Sequence, residues 1–285
     1  MATDIAQIID NAYPKLSKGH KKIAQIVLKD FDKVAYMTAG RLANTAGVSE
    51  ATVVRFSSKL GYDGYSEMQK ALQELVRRRL TPNQRIEITK RRIGKKDVIE
   101  NVMESDIRKI RYTLETLDRN AFYRAVDAIL ESGTIYVAGA RSSEPIARTL
   151  FYNLSLIFDN VKFIMPTSSA EVFEQLLPIT ENDSVIAFSF PRYSSKMVNA
   201  VKFASQKGAK IVVVTDSEIS PLAPYADFLL TAQSDMASFM DSLVAPLSII
   251  NSIIVEITKR KEREIRQRFD TLEKLWDDYN VYTKH

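Results

Sequence analysis

The chain has 285 residues, 45% of them hydrophobic, with no cysteine and two histidines, His20 and His285. That length suits two domains with sizeable cores, while the missing cysteines exclude disulfides and thiolate metal sites and fit a reducing cytoplasm. The net charge of +5 hides a split: residues 1–96 hold 19 Lys+Arg against 9 Asp+Glu, and residues 97–285 hold 21 against 26. Two histidines leave no material for a histidine triad or metal cluster, and no metal or cofactor is expected. No apolar run reaches the length of a membrane span, and the N-terminus lacks the charged start and apolar stretch of a signal peptide.

Residues 3–13 and 19–31 read as amphipathic helices. In the second, Ile23, Ile26, Val27 and Phe31 form the inward stripe, with Lys18, Lys21, Lys22 and Lys29 outside. The stretch Thr38–Leu60 reads as two short helices joined by a tight turn. Ala39, Leu42, Ala43 and Ala46 recur at helical spacing, Gly47 is a C-terminal stop, Val48 points inward and Ser49 caps the second helix. Val53, Val54, Phe56 and Leu60 give that helix its apolar side. Ser49, Glu50, Thr52, Arg55, Ser58 and Lys59 give the opposite side, and Arg41 lies on the first helix. Short polar and cationic groups on one helix face suit base edges and phosphates in a major groove; the bland alternative is a helical hairpin with a solvated face. A basic front third favours a polyanion, most simply DNA.

A helix from about Ser66 to Arg79 follows the turn Gly61–Tyr65. Its Arg77, Arg78 and Arg79 either touch DNA backbone or form a solvated charge run. Thr81-Pro82-Asn83 breaks the helix, so Leu80–Gly94 reads as a linker kept basic by Arg85, Lys90, Arg91, Arg92, Lys95 and Lys96. From Asp97 a long helix carries Val98, Val102, Ile107, Ile110, Leu114 and Leu117, and another runs from Asn120 to Glu131.

After Gly133 the pattern changes. Short apolar runs at 134–138, 161–165, 183–188, 210–215 and 228–230 alternate with helices at 144–158, 170–177 and 194–207, the pattern of a parallel sheet covered on both faces. Met236–Arg260 reads as one long apolar helix, and Lys261–Tyr279 as a charged one. Met240, Leu243, Val244, Leu247, Ile250, Ile254 and Ile257 either fill a subunit interface or cover the sheet. The fold class is thus an all-α helix-turn-helix domain followed by a doubly wound α/β domain.

In an open α/β sheet, ligands bind beyond the C-terminal strand ends. Three such ends here are short and polar: Gly139–Ser143, Ser189–Ser195 and Thr215–Ser217. Hydroxyls beside free backbone N–H groups at a helix N-terminus suit a phosphate, and Arg141 or Arg192 adds a charge-assisted contact. The expected ligand residues are Arg141, Ser142, Ser143, Ser189, Arg192, Ser194 and Ser195; the plain alternative is a set of N-caps and turns. No catalytic set emerges. Glu144 and Glu171 stand near strand ends, where a lone glutamate is often a helix-start charge.

On these residues the chain resembles the RpiR family of bacterial transcription regulators, which join a helix-turn-helix domain to a sugar isomerase (SIS) domain. Leu42–Leu72, LANTAGVSEATVVRFSSKLGYDGYSEMQKAL, is the most specific stretch. Gly139, Arg141 and Ser143 occupy the family's GxGxS frame, with Arg141 replacing the second glycine. Ser189 and Ser194 match the first serine and the threonine of its SxSGxT loop, from which Pro191 and Arg192 depart. The resemblance implies a DNA-binding domain over 1–79, a basic linker over 80–96 and an SIS-type effector-binding and oligomerisation domain over 97–285. It further implies a non-enzymatic homodimer or homotetramer on a palindromic operator in double-stranded DNA, answering a phosphorylated sugar. The competing expectations are a phosphosugar isomerase with a helical appendage and a ligand-binding scaffold for another protein.

Overall fold

A computed structural model describes residues 5–94, 97–165 and 168–283. The chain divides into two compact units, residues 1–84 and 85–285.

The first unit is helical: α1 (Ile5–Ala12), α2 (Lys18–Lys29), α3 (Phe31–Val34), α4 (Ala39–Ala46), α5 (Glu50–Lys59) and α6 (Tyr65–Arg79). Ile9, Ile23, Leu42, Phe56, Met68 and Leu72 are fully buried and form its centre. α6 holds the α3–α4 connection through its main chain. Tyr65 Oη donates to the Met37 carbonyl at 2.8 Å, Gln69 Nε2 to the same oxygen at 2.6 Å, and Gln73 Nε2 to Ala35 at 3.1 Å. Burial pushes the Tyr65 hydroxyl up to about 12, so it stays a donor across the neutral range. On α5 the apolar side differs from expectation by one position: Val54 is exposed, and Ser57 is buried in its place, its hydroxyl donating to Val53 O at 3.1 Å. A buried hydroxyl bonded to its own helix needs no other partner.

The expected linker is mostly a helix, α7 (Pro82–Ile93). Thr81 and Gln84 explain it. Gln84 N–H donates to Thr81 Oγ1 at 3.3 Å, and Thr81 N–H donates to Gln84 Oε1 at 2.8 Å. That is a reciprocal capping box, with Pro82 at the first helical position, where its missing N–H costs nothing. The side chains of Arg77, Arg78, Arg79, Arg91 and Arg92, and residues Lys95 and Lys96, lie outside the described residues.

α8 (Val98–Thr116) and α9 (Arg119–Leu130) precede the sheet. Then come β1 (Ile135–Gly139), α10 (Glu144–Ile157), β2 (Val161–Ile164), α11 (Ser169–Leu176), β3 (Ser184–Phe188), α12 (Ser195–Gln206), β4 (Lys210–Thr215) and β5 (Phe228–Thr231). All five strands are parallel, in the order β2-β1-β3-β4-β5. Strand alternation splits the core in two. Ile135, Val137, Ile186, Phe188, Val212 and Val214 face α9, α10 and the C-terminal helix α13 (Val244–Arg260). Tyr136, Ala138, Val185, Ala187, Ile211 and Val213 face α11 and α12. α14 (Glu262–Asp278) follows. No helix among the described residues is long and apolar enough to cross a membrane.

Residues 236–243 are not helical, contrary to expectation; a Met236–Asp241 bridge closes a short turn there. Pro246 accounts for the later start, because proline fits the first turn of a helix and not its interior. Within α13, Ile250 and Ile257 are sheet-covering core and Leu247 is exposed, as is Met240 in the turn before it.

Chain direction across the sheet reverses between β1 and β3, which makes the switch point at their C-terminal ends. α10 crosses that point closely. A Cβ added at Gly139 would lie 2.7 Å from Ala147 Cβ and 2.8 Å from the Ser143 carbonyl. Gly139→Ala is therefore expected to lower stability by about 1–3 kcal/mol through overpacking. Urea denaturation followed by circular dichroism checks this, and an unchanged midpoint would show that α10 can move away freely.

Candidate functional site

In the first unit, Thr38 caps α4 by accepting the Arg41 N–H at 3.2 Å. α4 ends at Gly47, whose φ of 61° lies in the left-handed region. The Val48 N–H reaches the Ala43 carbonyl at 3.0 Å and the Gly47 N–H reaches Asn44 at 3.3 Å. This paired closure turns the chain sharply into Ser49. Ser49 Oγ accepts the Thr52 N–H at 3.3 Å and lies 2.8 Å from Thr52 Oγ1, which in turn accepts from Arg55 Nη2 at 3.4 Å. Ser49, Thr52 and Arg55 therefore form one polar chain along α5. Ser49, Glu50, Arg55, Ser58 and Lys59 are exposed, as is Arg41 on α4, and Thr52 is half-buried. The Glu50 carboxylate folds back towards Gly40, where an added Cβ would meet its Oε2 at 3.2 Å.

At the second site, the register pairs Gly139 with Phe188 and Phe188 with Val214. The loops after β1, β3 and β4 thus emerge side by side. Arg141 has φ 56° and Arg192 has φ 62°, both left-handed, both exposed, and both at positions where the motif frames carry glycine. The 189–195 loop is pinned to the end of β4 at two points. Thr215 Oγ1 donates to the Ser189 carbonyl at 2.6 Å, and Tyr193 Oη donates to Asp216 Oδ1 at 2.6 Å. Asp216 is buried, and its Oδ2 has no hydrogen-bond partner. Tyr193 and Asp216 were not among the expected ligand residues. The Thr-Asp-Ser ending of β4 was the available signal, but nothing in sequence spacing joins it to Tyr193.

Side-chain caps are common at helix starts in this chain but absent from the two at this site. Ser17, Thr38, Ser49, Asp97, Asp118 and Ser168 each cap their helices through the side chain. Ser143 and Ser194 occupy the same position before α10 and α12, yet neither side chain makes a capping hydrogen bond. A 3-10 turn, Arg141–Ser143, leads into α10 and takes up the Ser143 and Glu144 N–H groups on the Ala140 and Arg141 carbonyls, whereas Ser194 enters α12 from extended backbone. Glu144 is bonded to Arg148 Nε at 2.8 Å, and Glu171 completes a capping box with Ser168. An open cavity of ≈ 650 Å³ lies elsewhere, between the start of α9 and β5, and none of the expected ligand residues lines it.

A helix-turn-helix unit joined to a doubly wound α/β unit with polar strand ends defines a class. The family model for the helix-turn-helix domain of the rpiR family matches residues 3–78, and that for the SIS domain matches 128–256. The chain belongs to the rpiR family of helix-turn-helix transcriptional regulators that carry an SIS domain. It is 26% identical to an uncharacterised HTH-type transcriptional regulator of Thermotoga maritima, over 92% of this chain and 94% of the relative. It is 22% identical to the HTH-type transcriptional regulator HexR of Escherichia coli, over 90% and 89% of the two chains. Among solved structures, the sugar isomerase domain of an RpiR transcription factor from Sphaerobacter thermophilus matches with TM-score 0.59 and 25% identity, covering 61% of this chain and 97% of that one. The Vibrio vulnificus NanR protein, complexed with ManNAc-6P, matches with TM-score 0.62 and 19% identity, covering 98% and 99%.

His20 of α2 sits against α5, its ring 5.7 Å from that of Phe56 in an edge contact. Burial, then the charges of Arg55 and Lys59, hold its imidazole below the usual histidine range. The folded state then binds fewer protons than the unfolded one, so this stabilisation is present above about pH 6.5 and is lost as pH falls through the folded value. Between about pH 7 and 5, the melting temperature of the wild type is expected to fall more steeply than that of His20→Gln. Parallel curves would show that the two cations leave the imidazole untouched.

Proposed function

We propose that the N-terminal unit reads an operator through the exposed face of α5, with Ser49, Thr52 and Arg55 at base edges and the nearby lysines on phosphates. The C-terminal unit binds a phosphorylated sugar or related anionic metabolite at the ends of β1, β3 and β4. Occupancy there changes operator affinity, so the chain is a metabolite-responsive regulator of sugar metabolism acting in the cytoplasm. Two or four copies act together, with paired helix-turn-helix units about 34–36 Å apart on a palindromic site.

The observation that supports the ligand reading is the start of α12 at the switch point, where Ser194 makes no side-chain cap. A helix N-terminus favours an anion, and two exposed arginines, Arg141 and Arg192, belong to the loops beside this one. Likeness to a NanR protein holding ManNAc-6P supports a sugar phosphate. A regulator is favoured over an isomerase because Glu144 and Glu171, the glutamates expected near strand ends, already have structural partners. A basic helix-turn-helix also has no use in isomerisation.

Arg55→Ala is expected to weaken binding to an operator selected from random duplexes by about 5- to 100-fold, while nonspecific binding falls far less. Fluorescence anisotropy on both duplexes measures this; equal losses would reduce Arg55 to a phosphate contact. For the second site, the full chain is screened by thermal shift against phosphorylated sugars, amino sugars and sugar acids. A ligand at about 100 times its Kd adds about 2.7 kcal/mol. That shift is expected from a phosphosugar and should disappear in Ser189→Ala or Arg192→Ala. A hit that survives both changes places the ligand elsewhere.

A further inference from the structure

α8 is inside out. The face that packs on the rest of its unit is polar: Lys109 and Thr113 are buried. Lys109 Nζ bonds Ser105 Oγ at 2.8 Å and Asp106 Oδ1 at 3.1 Å, the Ser242 hydroxyl donates to Asp106 Oδ1 at 2.8 Å, and Thr113 Oγ1 accepts the Gln233 N–H at 2.9 Å. The neighbouring face is apolar and open. Ile99, Met103, Ile107, Ile110 and Leu114 are 67%, 62%, 56%, 40% and 61% exposed. At about 100° per residue these five fall within one stripe roughly 80° wide, running the length of a 19-residue helix. Contiguous apolar patches of this kind are rare on monomers and mark interaction surfaces.

The stripe also has a symmetry that selects its partner. Ile99 and Leu114 lie equally far from a point between Asp106 and Ile107, and so do Met103 and Ile110, with Ile107 beside that point. The pattern therefore reads alike from either end. Glu100 and Arg111, both exposed, border the same edge of the stripe on opposite sides of that centre. Two copies laid antiparallel bring Glu100 of each chain towards Arg111 of the other. Two copies laid parallel about a two-fold axis hold this edge on opposite sides of the seam, where Glu100 and Arg111 find no such partner. A two-fold contact of this sort is isologous, the same patch serving both subunits.

We propose that α8 is the pairing surface between two copies of this chain, packed antiparallel about a two-fold axis that passes between Asp106 and Ile107. Ile99 then meets Leu114 of the partner subunit, and Met103 meets Ile110 of the partner subunit. The surface stands on α8 alone and does not depend on what the strand ends bind.

The test uses the full chain and reads mass and cross-links rather than DNA or ligand binding. Analytical ultracentrifugation of the wild type is expected to give at least twice the chain mass, and Ile107→Glu is expected to halve it with an unchanged circular dichroism spectrum. Because the chain has no cysteine, single cysteines report geometry cleanly. With a short bismaleimide, Ile107→Cys is expected to cross-link to itself. Met103→Cys links poorly alone and well when mixed with Ile110→Cys. Tyr152→Cys, 61% exposed on α10, serves as the control. A monomeric wild type, a dimer that persists in Ile107→Glu, or Ile107→Cys linking no better than Tyr152→Cys would each overturn the proposal.

Discussion

The packing of α10 against the end of β1 sets the geometry of the second unit. Only a residue without Cβ fits at Gly139, because Ala147 and the Ser143 carbonyl already occupy that space. The close approach brings the start of α10 directly over the strand end. The same switch point separates β1 from β3, so the start of α12 arrives beside it. The starts of α10 and α12 thereby converge at the strand ends. In a looser packing the same serines would be ordinary turn residues.

Elements with local signals were legible in the sequence; elements decided by distant contacts were not. Ser49 and Gly47 announce α5 because capping and left-handed stops act over three or four residues. The strands were legible because burial on both faces gives near-continuous apolar runs such as Ile135–Gly139 and Lys210–Thr215. Thr81-Pro82-Asn83 does end α6, but Thr81 and Gln84 also make Pro82 a helix start, so residues 80–94 are mostly helix and not the expected linker. Residues 236–243 were misread because their apolar side chains suited a helix, while Pro246 fixed the true start further on.

α8 shows a limit of periodicity. Its apolar residues repeat at helical spacing, as expected, but that spacing does not say which face a protein buries. Here long-range hydrogen bonds from Gln233 and Ser242 draw the polar face inward. A satisfied buried polar network competes with apolar burial only when every member finds a partner. Thr113, Lys109 and Asp106 all do.

That the loops carrying Arg141, Ser189 and Arg192 share one edge of the sheet was legible from topology alone, since parallel strands fix which loops lie together. What topology did not supply was backbone conformation. Arg141 and Arg192 both take left-handed φ at positions where the motif frames carry glycine. A side chain in that region costs on the order of 1 kcal/mol relative to glycine, and strained residues persist where surrounding structure over-determines them. The loop bearing Arg192 is over-determined in that sense, held by Thr215 at Ser189 and by Asp216 at Tyr193. The conformation of that loop is therefore set by its contacts with the end of β4 and not by a glycine at position 192.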